Sequence, residues 1–123
     1  MSKMSELDAG SRRPERMDPG EFLQVAGQAL DSIEQAMTSS EIDADTDFVS
    51  EGVLEITFSD GAKMVVNRHE VAQEVWVAGR TGAHHFFWSG SRWVDTRSHE
   101  SLFLVISRLA SVMAGKPINL SEA

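Results

Sequence analysis

The chain has 123 residues, 41% of them hydrophobic, which suffices for one compact domain and is too little for two ordinary ones. It has no cysteine, so it forms no disulfide and ligates no iron-sulfur cluster through thiolates, and any metal must meet oxygen or imidazole. The net charge of −8 is one-sided, with eleven acids and no Lys or Arg between Asp18 and Ala62 but seven basic residues and five acids from Lys63 onward, a field that repels nucleic acid and draws cations or a basic protein surface.

Residues 1–17 mix Ser, Gly, Pro and charge without periodicity and read as a disordered leader, set apart from a folded domain over 18–123. They lack the apolar stretch of a signal peptide, and no segment approaches the roughly 18 apolar residues of a membrane span, so the cytoplasm is the expected location. Asp18-Pro19-Gly20-Glu21 places a capping residue, a proline at the first helical position and a glutamate three residues after the cap, which predicts a helix start. Phe22, Ala26, Ala29, Leu30, Ile33 and Met37 follow at helical spacing and form one apolar stripe.

The acids Glu41, Asp43, Asp45 and Asp47 come next, on alternate positions. An extended chain puts all four on one side at intervals of roughly 6 to 7 Å, with Ile42 and Phe48 turned toward the core. Asp31 and Glu34 join the same ridge if the helix lies beside this strand. Carboxylates at that pitch suit hard cations such as iron(III), calcium, magnesium or manganese, in open, water-rich sites of low affinity. The plainer alternative is a charged edge strand that resists edge-to-edge aggregation. An EF-hand is excluded, because Phe48 stands where its loop needs glycine and Leu54 where it needs a bidentate glutamate.

From Val53 the apolar period is 2: Leu54, Ile56 and Phe58, a turn at Asp60-Gly61, then Met64 and Val66 on a returning strand. Three further strands are read at 73–78, 84–88 and 92–95, with a second helix capped by Ser98 and carrying Leu102, Phe103, Ile106, Leu109, Ala110 and Met113. Hairpin-length connections make the sheet antiparallel, and two terminal helices with one apolar stripe each cover one face of it. The expected fold is an α+β two-layer sandwich of about six strands, with one sheet face open. If Val75 and Val77 face the helices, Trp76 stands on that open face as an interface anchor; in the opposite phase it is core, as Trp93 is expected to be. None of His69, His84, His85 and His99 forms a helical zinc pair, and the adjacent His84 and His85 face opposite sides of a strand. No serine-hydrolase elbow, P-loop or dinucleotide motif is present.

The stretch Val66-Asn67-Arg68-His69-Glu70-Val71-Ala72-Gln73-Glu74-Val75-Trp76-Val77-Ala78 resembles the signature of the frataxin family, whose bacterial members read close to INRQEPLHQIWLA. The order of elements around it is similar too, over about residues 20 to 115. The resemblance implies the frataxin sandwich, weak binding of iron(II) and iron(III) on an acidic ridge at Glu34, Glu41, Asp43, Asp45 and Asp47, and regulation of iron-sulfur cluster assembly through a cysteine desulfurase and its scaffold protein. It implies a partner surface at Asn67 and Trp76 together with the ridge residues Glu34 and Asp43, and a monomer that metal can drive to associate. His69, Val71 and Glu74 depart from the family pattern, and Thr38-Ser39 replace an acidic pair. A dedicated ferroxidase is not expected, since a buried di-iron site needs Glu and Glu-x-x-His on facing helices and the sequence has no such pair. The competing reading is an acidic docking module whose metal binding is incidental.

Overall fold

The computed structural model describes residues 13–121. Residues 1–12 of the leader segment lie outside this range. Its last five residues lie inside it, and Arg13, Arg16 and Met17 hydrogen-bond to residues 71–74.

Helix α1 runs from Pro19 to Ser39, capped by the Asp18 carboxylate, which accepts from the N–H groups of Gly20 and Glu21. Six strands follow: β1 (Ala44–Ser50), β2 (Val53–Phe58), β3 (Lys63–His69), β4 (Glu74–Gly79), β5 (Gly82–Trp88) and β6 (Trp93–Asp95); helix α2 spans Leu102–Ala114. The sheet is an antiparallel meander in sequence order, as short connections require. The stripe of α1 is buried throughout, and it packs with Leu54, Ile56, Met64, Val66, Val75, Val77 and Phe86 of the sheet. Phe22 meets Trp93 edge-on at 6.3 Å, which ties the first helix to the last strand.

Two expectations are corrected. The second helix is capped by Ser101, not Ser98: the Asp95 carboxylate takes the N–H groups of Arg97 and Ser98, and His99 stands at φ 64, so the chain is still turning where the cap was expected. Phe48 is not core but 43% exposed. It lies on the helix side of the outermost strand, where the pairing with β2 is interrupted by a register shift between Phe48 and Ser50.

Candidate functional site

The acidic ridge is only partly a strand. The Ala44 N–H donates to the Ile42 carbonyl at 3.0 Å, so the chain bends at Asp43, and β1 starts one residue later. Glu41 and Asp43 therefore sit on the approach to the sheet, while Asp45 and Asp47 project from the strand itself; all four are exposed and Ile42 is buried. Helix α1 does lie beside β1, since Thr46 Oγ1 donates to Glu34 Oε2 at 3.3 Å. Strand alternation then separates two sets. Thr46 pairs with the buried Ile56 on the helix side, where Glu34 is, whereas Asp45 and Asp47 pair with Thr57 and Glu55 on the open face. Asp31 is exposed one turn before Glu34.

Glu55 is the acid that the alternating pattern missed. It stands directly opposite Asp47 and bonds Lys63 Nζ at 2.7 Å. The signal was present, because Glu55 has the outward phase between Leu54 and Ile56, but only the pairing register brings it to Asp47. Among the described residues, no three His, Asp or Glu side chains converge into a metal cage. What the ridge offers a cation is one or two hard carboxylate oxygens at a time, with water completing the shell. That donor set fits iron(II), iron(III) or another hard cation held loosely and in exchange with solvent.

The second constellation lies mid-sheet. Trp76 pairs with Asn67 on β3 and His85 on β5, and its neighbours Val75 and Val77 are fully buried, so the indole stands on the open face as the first of the two phases requires. It is not free there. The His69 ring stacks on one side at 3.9 Å and the His85 ring at 4.3 Å, both within 14° of parallel. Trp76 Nε1 donates to Glu74 Oε1 at 2.7 Å, and Arg13 Nη1 donates to Glu74 Oε2 at 2.7 Å. Burial pushes the Glu74 carboxyl up, but the hydrogen bonds from Arg13 and Trp76 and the charges of Arg13 and His85 outweigh it and hold the pKa below its ordinary value. His69 and Glu74, two of the positions that depart from the family pattern, thus both touch Trp76. His84 faces the other layer, where its Nδ1 meets the buried Asp95 at 3.0 Å.

Two helices on one face of a six-stranded antiparallel meander, with an acidic edge and an open face centred on a tryptophan, define the class: a protein of the frataxin fold. The chain belongs to the frataxin-like domain family, whose model matches residues 15–116. It is 46% identical over 104 residues to the iron-sulfur cluster assembly protein CyaY of Dechloromonas aromatica, covering 85% of this chain and 99% of that one. The CyaY protein of Cupriavidus pinatubonensis is 38% identical over 107 residues, covering 85% and 96%. Among solved structures, the frataxin of Psychromonas ingrahamii superposes with a TM-score of 0.78 at 26% identity, over 86% of this chain and all of that one. A trimeric yeast frataxin complexed with ferrous iron shares the fold at a TM-score of 0.58 and 19% identity, over 84% and 91%. Among the described residues, no helix is long and apolar enough to cross a membrane.

Proposed function

We propose that the protein binds iron(II) and iron(III) weakly along its acidic edge, at Asp31 and Glu34 of the helix and at Glu41, Asp43, Asp45 and Asp47 of the edge strand and its approach, and docks a cysteine desulfurase in the cytoplasm, so regulating or supplying iron to cluster assembly. The observation that carries this reading is the exposed row of carboxylates at Glu41, Asp43, Asp45 and Asp47, on the edge strand and its approach. The ion pairs of Arg13, Lys63, Arg68, Arg80 and Arg108 are made with other acids. Family membership supports the reading, as does the assembly role in the names of the CyaY relatives. Iron here is cargo or signal rather than a resident cofactor, and the protein is not a dedicated enzyme. Docking uses Asn67 and Trp76 of the open face together with Glu34 and Asp43.

A second reading is favoured by the absence of any converging cage among the described residues: the acids dock a basic partner surface and metal is incidental. One reconstituted assay separates the two. Cluster formation on the scaffold is followed under anaerobic conditions with the natural chain, with Asp43, Asp45 and Asp47 changed to Asn, and with Trp76→Ala. The iron reading expects the Asn variant to lose iron binding and its effect on cluster formation. Normal partner binding with lost metal binding and an unchanged assembly rate would retire the iron reading in favour of docking.

A further inference from the structure

The segment that precedes the fold reaches the docking face. Arg13 makes three contacts there: Nη1 to Glu74 Oε2 at 2.7 Å, Nη2 to the Ala72 carbonyl at 2.8 Å, and its guanidinium over the Phe87 ring at 5.3 Å. Arg16 donates to the Val71 carbonyl at 2.8 Å. Met17 and Gln73 hold each other reciprocally, the Met17 N–H donating to Gln73 Oε1 at 3.0 Å and Gln73 Nε2 to the Met17 carbonyl at 2.8 Å. Residues 13–17 are thus fastened along the connection between β3 and β4 at several points.

What the strap holds is Glu74, a side chain only 12% exposed. Its two oxygens are divided: Oε2 goes to Arg13, and Oε1 goes to the indole N–H of Trp76 at 2.7 Å, with His85 Nδ1 a further 3.9 Å contact of the same oxygen. A carboxylate with one oxygen clamped by a guanidinium has its plane set, and the other oxygen is aimed at the indole. Without Arg13 the buried charge loses its guanidinium partner and is free to turn toward His85. His85 is also one of the two rings stacked on Trp76, so that turn disturbs the whole stack.

We propose that Arg13 is a positioning residue for Trp76, acting through Glu74, so that the segment ahead of helix α1 sets the geometry of the face offered to the partner. This rests on the docking role proposed above for Trp76. Arg13 itself is 46% exposed and lies at the surface, so its substitution removes the partner of Glu74 without opening the core between sheet and helices.

The test uses the full-length chain. The indole N–H resonance of Trp76 is followed by two-dimensional NMR in Arg13→Gln, with Arg16→Gln as the control that loosens the strap without touching Glu74. Arg13→Gln shifts the Trp76 resonance by more than its linewidth and leaves Trp93 in place; Arg16→Gln leaves both in place. Affinity for the desulfurase is then measured in a cycle with Glu74→Gln. Arg13→Gln weakens binding about fivefold, near 1 kcal/mol, in the natural background and has no further effect in the Glu74→Gln background. An unmoved Trp76 resonance in Arg13→Gln overturns the proposal, as do fully additive effects, which would mean that Arg13 meets the partner directly. The indole resonance is read without any partner present, so its outcome is independent of the docking role, which Trp76→Ala tests separately.

Discussion

Trp76 Nε1 and Glu74 Oε1 lie 2.7 Å apart on the open face of the sheet, and the indole is held between two imidazoles rather than projecting freely. Trp76→Ala should therefore cost more than an exposed substitution, about 1 to 2 kcal/mol for the lost stacking and half-buried area. Trp93→Ala, at 4% exposure in the core, should cost about 3 to 5 kcal/mol. Desulfurase affinity should fall by about 1 to 3 kcal/mol in the Trp76 variant. Urea melts and a binding isotherm check the pair of variants. Equal destabilisation of the two would contradict the placement of Trp76 on the outer face.

Gly52 sits between β1 and β2 at φ 77, and a Cβ there would lie 2.6 Å from Arg68 Nε. Gly52→Ala meets both backbone strain and a side-chain clash, and should destabilise by about 1 to 3 kcal/mol. Gly61→Ala is the control for strain alone: its φ is 87, but nothing lies within 4 Å of the added carbon. Thermal melts of the two variants should rank Gly52→Ala as the more costly.

Stability in acid should draw on Asp95 and Glu74, the two buried carboxylates whose pKa values are depressed. Burial raises the Asp95 carboxyl, but the N–H groups of Arg97 and Ser98 and the His84 ring outweigh it, leaving the pKa below the ordinary aspartate value. A depressed folded pKa contributes stability that is complete at neutral pH and is lost as pH falls below the ordinary value through the folded one. Glu74 shifts in the same direction and adds to the same acid limb. Asp95→Asn should cost about 1 to 3 kcal/mol at neutral pH and flatten the acid limb, as measured by urea melts across the carboxylate range. Equal slopes in the two proteins would show that Asp95 titrates alike folded and unfolded.

Periodicity revealed most of the fold because each layer has one buried side. The α1 stripe and the strand cores at Leu54, Ile56, Met64, Val66, Val75 and Val77 are buried as their spacing predicts. Phe48 misled because alternation assigns a face but not whether a neighbour covers it, and an edge strand has a neighbour on one side only. Ser98 misled because a buried carboxylate, Asp95, competed for the backbone groups of a helix start. The candidate site was legible as a set of acids and one tryptophan. Its grouping was not: that Glu34 and Asp45 lie on different faces follows from the Thr46 contact, and that Arg13 reaches Glu74 follows from a contact across 61 positions in sequence. No local pattern encodes either.

Like charges face each other where Asp47 stands opposite Glu55 on paired strands, an unfavourable pairing, with Lys63 Nζ 2.7 Å from Glu55 Oε1 as the nearby counter-charge. Asp45→Asn with Asp47→Asn should raise metal-free stability by about 0.5 to 1 kcal/mol at low salt. The natural chain should gain melting temperature with monovalent salt by screening, and more with calcium, magnesium or iron at equal ionic strength by mass action. The double variant should respond much less to both. A natural chain indifferent to salt and divalent ions would mean that these acids do not interact.

Whether the ridge holds iron is decided by an anaerobic two-dimensional NMR titration of the full-length chain with iron(II). Paramagnetic broadening should appear first at Glu41, Asp43, Asp45 and Asp47, with Asp31, Glu34 and Glu55 following and His99 unaffected. Broadening that begins at His69, His84 or His85 and spares the ridge would contradict iron binding by the carboxylates and identify an imidazole site instead.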